Sequence, residues 1–318
     1  MLNDQNSAKI SNFSKLLIGL TAFLAISYFM SFTKSCSSKD TREKVKTALV
    51  NPKYKDSITG FELQDFTGSL TIKNEGSFWT VSRSNDNTSS GTYTLPASPE
   101  RINNLLEKLT TVRNLYKISD KINKNSALGL TNGTEFHLRY SMNEDFHELI
   151  FGNQDFSLSS RYMMTEKSTQ VYETDNTLDT FFTTSIQSWA EPFIISQVVL
   201  GKIKAQDIQR TQAVNSENHI TAVSDIQKLL DLRHGGLPEA EELSLLTQEK
   251  NRLPELIITL ELGNKNEIEL NIFKSKSADE NEFIVLTEYK REKTSTPVFT
   301  SASKISSWTY NKIKEITL

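Results

Sequence analysis

Hydrophobic and polar positions follow three rhythms along this chain. The first is a continuous apolar run at residues 16–32, without a charged residue and bounded by Lys15 and Lys34. As a helix it would cover about 26 Å, against a bilayer core of roughly 30 Å, and the flanking lysines can reach the two interfaces. The run reads as a single transmembrane anchor through the lipid bilayer. No small-x-small site follows it, so removal as a signal peptide is the weaker expectation.

The second rhythm has period two. Phe61, Leu63 and Asp65, then Leu70 and Ile72, then Phe78, Trp79 and Val81 alternate, with Gly68 and Glu75-Gly76 as turn punctuation. This predicts an antiparallel meander. Further strands are expected at 135–140, 146–151, 158–164 and 170–172.

The third rhythm is helical. It predicts a helix over 96–116, with Ser98 as N-cap, Pro99 at the first helical position, and Ile102, Leu105, Leu106, Leu109 and Val112 as one apolar stripe. A second helical pattern runs from Leu178 through Phe181, Phe182 and Ile186 to Trp189. Between anchor and strands, Asp40 caps a short expected helix through Val50, stopped by Asn51-Pro52. Strands and helices in this order, with hairpin-length connections, give an α+β fold.

The second half echoes the first. Val171-Tyr172, Leu178, Phe181 and Ile186 match Val298-Phe299, Ile305, Trp308 and Ile313 at one offset. Phe136, Leu138, Tyr140 and Phe146 match Ile258, Leu260, Leu262 and Ile268 at another, with Ile226, Leu229, Leu230 and Leu232 as counterpart of the long helix. The expected organisation is a tail at 1–15, the anchor at 16–32 and a membrane-proximal connector at 33–60. Two tandem, duplicated α+β units follow, at 61–203 and 204–318, each an antiparallel sheet covered by helices.

Charge changes the picture in two ways. The 36 Lys and Arg residues against 39 Asp and Glu leave no basic block to grip a phosphate backbone, which argues against nucleic acid. Around the anchor, Lys9 and Lys15 precede it while Lys34, Lys39, Arg42, Lys44 and Lys46 follow, a distribution that favours a cytoplasmic body. Long domains translocate largely regardless of charge, so charge alone leaves the orientation open. Cys36 is the only cysteine, which excludes an intrachain disulfide. Lys34 just before it is unlike a lipidation signal, and an unpaired thiol is the reading.

Candidate chemistry is sparse. None of His137, His147, His219 and His234 has a second histidine or a cysteine at the i+3 or i+4 spacing of a helical metal site. His137 and His147 sit on one predicted hairpin and could face each other as a weak metal or pH-responsive pair; two solvated histidines are the plainer expectation. Glu144-Asp145, Glu239 with Glu241-Glu242, and Asp279-Glu280 are carboxylate pairs in polar stretches. Arg233-His234-Gly235-Gly236 looks most site-like, although its glycines read as the end of the helix through Leu232. No Gly-x-Ser-x-Gly elbow or phosphate loop occurs, so no catalytic, cofactor-binding or metal residue is assigned.

One series of short elements carries a family likeness. It comprises Asn51-Pro52-Lys53-Tyr54, Leu70-Thr71-Ile72 before Phe78-Trp79-Thr80-Val81, the 102–109 helix and Ala127-Leu128-Gly129-Leu130, then Glu148-Leu149-Ile150-Phe151-Gly152, Arg161-Tyr162 and Gln170-Val171-Tyr172. In this order they resemble a bacterial family, domain of unknown function 4340, over about 61–214. The resemblance implies an N-terminal anchor, an extracytoplasmic body and a role beside ABC-transporter membrane subunits of the gliding-motility type. It implies no catalytic residue. Two functions from different classes stand: a non-enzymatic anchored binding or scaffold subunit, and an extracytoplasmic hydrolase with a carboxylate-based site.

Overall fold

The computed structural model describes residues 42–317 other than 85–92, 121–125, 132, 143–144, 166–167, 250–251, 277–280, 293 and 295. The expected tail and anchor, Cys36, Asp40, Glu144 and Asp279-Glu280 lie outside the described residues. Among the described residues no helix is long and apolar enough to cross a membrane.

The first sheet holds ten strands: β1 (Lys44–Thr47), β2 (Ile58–Asp65), β3 (Gly68–Asn74), β4 (Trp79–Arg83), β5 (Leu95–Pro96), β6 (Arg113–Ser119), β7 (Phe136–Met142), β8 (Asp145–Gln154), β9 (Ser160–Thr165) and β10 (Val171–Asp175). Their order is β1-β6-β10-β9-β8-β7-β2-β3-β4-β5, with every pairing antiparallel. Phe61, Leu63, Leu70, Ile72, Val81, Leu138, Leu149 and Phe151 point to one face and form its core. Helix α1 (Pro99–Thr110) covers that face through Ile102, Leu105, Leu106 and Leu109. As the spacing predicts, the Ser98 side chain accepts from Arg101 N and Pro99 opens the helix.

Three expectations fail locally. The segment predicted as a helix from Asp40 to Val50 instead carries, in its described part, strand β1, in register from Lys44↔Tyr116 to Thr47↔Arg113. Val45 and Thr47 are β-branched, and the free edge of β6 offers them backbone partners that an isolated short helix lacks. Helix α1 stops at Thr110 rather than Tyr116, because Thr110, Thr111 and Val112 form a β-branched run; Val112 is exposed and β6 begins at the next residue. The pattern through Trp189 splits into a 3-10 turn, Asp179–Phe181, and α2 (Ile186–Trp189). Thr183 and Thr184 between them spend their polar groups on Trp189 Nε1 and Asp65 Oδ1 instead.

The second sheet holds β11 (Ile208–Asn215), β12 (Ile220–Thr221), β13 (Leu256–Leu262), β14 (Glu267–Lys274), β15 (Glu282–Lys290) and β16 (Phe299–Ser306), in the order β12-β11-β13-β14-β15-β16. Helices α3 (Ile226–Leu230) and α5 (Ser307–Thr317) contribute Leu229, Leu230, Ile313 and Ile316 to its core; α4 (Ala240–Gln248) precedes β13. Both sheets belong to one compact body, Lys44–Leu318. Thr94 and Ser301 form a parallel bridge between the flank of β5 and β16, and Phe78 meets Phe299 edge-on at 5.1 Å.

The residue-by-residue repeat does not hold. Leu178 precedes a 3-10 turn, whereas Ile305 lies inside β16; Phe181 is buried while Trp308 is 64% exposed. In the hairpins Leu138 pairs with Leu149 but Leu260 pairs with Ile268, so Phe146 and Ile268 are not equivalent either. Loops of different length shift the register, and an offset in sequence then no longer marks one place in space.

Candidate functional site

The two hairpin histidines do not face each other. His137 lies opposite Ile150 and His147 opposite Tyr140, so alternation sends them to opposite faces. His147 stacks on Tyr140 at 5.0 Å. His137 stands on the open face, away from α1, where its Nδ1 is 2.9 Å from Glu148 Oε1 and its Nε2 3.6 Å from Glu135 Oε1. Arg139 Nε donates to the same Glu148 oxygen at 2.7 Å, and its guanidinium lies 3.8 Å from Glu62. Burial pushes Glu135 up, but its own N–H, that of Gly133 and His137 outweigh this and leave it below the usual carboxylate range.

Beside this ladder a cavity of about 250 Å³ is floored by β2, β3 and β7 and lined by Thr59, Glu62, Thr71, Lys73, Ser141 and Phe146. Gly60 belongs to its floor; a Cβ there would sit 2.9 Å from Ser141 Oγ and 3.2 Å from Ile72 O. A second cavity of about 630 Å³ lies at the seam of the sheets, with Ser77, Thr80, Ser82, Thr94, Arg291 and Phe299 in its wall. Thr71 and Lys73 border both. The result is one trough along the open face, rich in hydroxyls and edged by aromatic rings, whose charges are mostly compensated: Lys73 lies 3.4 Å from Glu75. Such a wall can bind by hydrogen bonds and ring contacts.

The remaining candidates go elsewhere. His219 is exposed, 3.6 Å from Glu217. Glu239 holds Arg83 with both oxygens, at 2.9 and 3.2 Å, and shares a capping box with Glu242, which also bonds Ser275. Glu241 lies in the exposed first turn of α4, and Asp145 is exposed at the start of β8. Helix α3 ends at Leu230 with Asp231 as its cap, so Gly235 and Gly236 do not terminate it. Gly235 N instead donates to Lys304 O, and Gly236 takes a φ of 119°.

A buried polar network at the joint between the sheets was not foreseen. Ser196 Oγ donates to Glu191 Oε2 at 2.5 Å, Gln197 N reaches both Glu191 oxygens, and Ser196 N donates to Tyr289 Oη at 2.7 Å. Burial raises Glu191 and Tyr289 above their ordinary values. His234 accepts from Gly236 N at Nδ1, which leaves Nε2–H to donate to Glu191 O at 2.8 Å; burial pushes this imidazole down. The available signal was a lone carboxylate between Trp189-Ala190 and Pro192-Phe193-Ile194-Ile195.

Four of the short elements that carry the family likeness, around Leu128 and Leu130, Ile150 and Gly152, Arg161 and Tyr162, and Val171, meet in space. Gly152 lies under the 126–130 segment so closely that a Cβ would fall 2.1 Å from Leu128 O, and Asn153 Nδ2 donates to Ala127 O at 3.1 Å. Arg161 donates to Gly152 O, grips Asp179 with Nε and Nη2 at 2.8 and 3.1 Å, and lies 5.1 Å over the Phe182 ring. A family model, domain of unknown function DUF4340, matches residues 88–253, more than half of the chain. The chain belongs to that family. No curated protein and no solved structure matches it. The DUF4340 stretch opens before β5 and closes before β13, so it takes in the Gly152–Arg161 knot and the Glu191–His234 joint, while β2 and β3 of the trough precede it. Those DUF4340 elements hold the scaffold together and supply β7 and Thr94 to the trough, whose β2, β3 and β16 walls lie outside the match.

Proposed function

We propose that the protein is a non-enzymatic, membrane-anchored binding or scaffold subunit. Its body stands outside the cytoplasm and works with the membrane subunits of an ABC transporter. The observation that carries the binding role is the trough through Thr71 and Lys73, whose hydroxyls and rings suit recognition and whose nearby carboxylates Glu62, Glu75 and Glu148 are engaged by Arg139 and Lys73. The anchor rests on the uncharged run at 16–32, and the transporter on the family resemblance. The shared order of β2-β7-β8-β9-β10 and β11-β13-β14-β15-β16 supports descent of both sheets from one unit, with insertions after the first strand of each.

The reading predicts that the chain stays with membranes through alkaline carbonate washing. Reporter fusions after Gly201 that work only outside the cytoplasm should be active, and silence there would reverse the orientation. Replacing residues 16–32 by a cleavable signal should abolish function while the released body still folds. Full complementation by that soluble body would sink the anchored role.

The hydrolase reading draws on one observation, the buried Glu135 Oε2, which lacks a hydrogen-bond partner close to His137 and Glu148. Glu135→Gln and Glu148→Gln should leave function nearly intact. Loss of function in a folded variant of either would favour the enzyme.

A further inference from the structure

Two turns of the first sheet are built alike. Gln64-Asp65-Phe66-Thr67-Gly68-Ser69 joins β2 to β3, and Gln154-Asp155-Phe156-Ser157-Leu158-Ser159 joins β8 to β9. In the first, Asp65 Oδ1 accepts from Thr67 N, Thr67 Oγ1 and Gly68 N at 2.7, 2.5 and 3.1 Å. In the second, Asp155 accepts from Ser157 Oγ at 2.6 Å and from Ser159 N and Ser160 N at 3.1 and 3.0 Å. Gln64 lies opposite His137 and Phe136 opposite Phe151, so both turns project from the same end of the sheet. Three strand spacings separate them, about 14 Å.

Each clamp holds a phenylalanine in water. Phe66 is 80% exposed, Phe156 is fully exposed, and Leu158 beside it is 63% exposed with φ at 56°. The turn thus keeps two apolar side chains, Phe156 and Leu158, in solvent, with Leu158 in left-handed backbone that burial does not repay. The cavity beside Phe66, about 620 Å³, is lined by Asp65, Thr67, Ser69, Thr183, Thr184 and Ser185.

We infer that this end is a two-pronged docking surface: Phe66 and Phe156 enter apolar pockets of a second, different protein whose rim carries lysine or arginine to meet Asp65 and Asp155. Exposed aromatic anchors are the residues that dominate protein interfaces. Lipid fits poorly, because each ring is chained to a carboxylate that would enter the membrane interface with it, and the Arg83 beside Phe66 is engaged by Glu239. Hydrogen bonds from Ser157 and Ser160 hold the Asp155 carboxyl down at about 2.

The inference rests on the binding role proposed above, and the experiment separates the two. In the full-length chain in its own cells, the photoreactive residue p-benzoylphenylalanine is placed singly at Phe66, Phe156, the trough residue Lys73, or the exposed control positions Ile220 and Leu253. Irradiation should join one and the same protein to the chain from 66 and 156 but not from the controls, through apolar peptides flanked by Lys or Arg. Phe66→Ser should lower the yield from position 156 by about tenfold, with an unchanged melting temperature. Adducts to lipid, to a second copy of this chain or to acidic peptides, labelling equal to the controls, or no adduct would overturn the assignment. A partner captured from Lys73 alone would overturn it too, yet leave the binding role standing.

Discussion

At the scale of single residues, the least replaceable atoms are ones a sequence cannot display. Gly152 is one member of an apolar-Gly pair in the chain, but its reason is the carbonyl of Leu128, more than twenty positions earlier and lying over the strand. Gly152→Ala should cost about 2–4 kcal/mol in urea unfolding, because backbone rather than a flexible side chain occupies the space. Gly68→Ala, where nothing lies within 4 Å, should be nearly neutral. His234 gives a second expectation. Its folded value lies below the ordinary 6.5, so as pH falls the unfolded chain binds the proton first. Stability tied to it is full above 6.5 and declines below, and the urea midpoint should drop between about pH 7.5 and about pH 5.5. Glu191, raised above 4.5, works in the opposite sense, since the folded chain takes up its proton first. Measurement in Glu191→Gln isolates the imidazole, and His234→Gln should flatten the remaining slope.

At the scale of elements, periodicity was a good guide wherever one element buries one face alone. Helix α1 is the clearest example: cap and opening proline mark its start, and Ile102, Leu105, Leu106 and Leu109 its buried face, although its end falls six residues before Tyr116. Ser98→Ala should lower stability by about 1 kcal/mol. Leu106→Asp should lower it by about 3–5 kcal/mol, by setting an unpaired charge against the core. Differential scanning calorimetry distinguishes the two. The sequence misled where tertiary partners outbid local preference. Lys44–Thr47 became a strand because β6 had an edge to offer, and the 178–189 pattern broke because Thr183 and Thr184 found partners outside a helix. His137 and His147 could be placed on one hairpin from their spacing, but which face each takes depends on a pairing register that spacing does not contain.

At the scale of the whole molecule, the α+β class and the antiparallel strands were legible, while the ten-strand order was not. β6 sits between β1 and β10, a placement set by long-range pairing. The trough was equally hidden, since it is assembled from β2, β3, β7 and the seam to β16. Because Phe78, Thr94, Arg83 and the Glu191 network all cross that seam, both sheets should open together. Hydrogen exchange should give Leu149 in β8 and Leu270 in β14 the same opening free energy, and a lower value for one sheet would show that the joint yields first.

The Thr94–Ser301 bridge has one more consequence. It sets the flank of β5 against β16, so that among the described residues the outer margins of the two sheets are β1 and β12. One margin is four residues long and carries Lys44 and Lys46; the other is two residues long. Neither gives a neighbouring copy enough unprotected backbone to zip against, so crowding many such bodies together should yield no fibres.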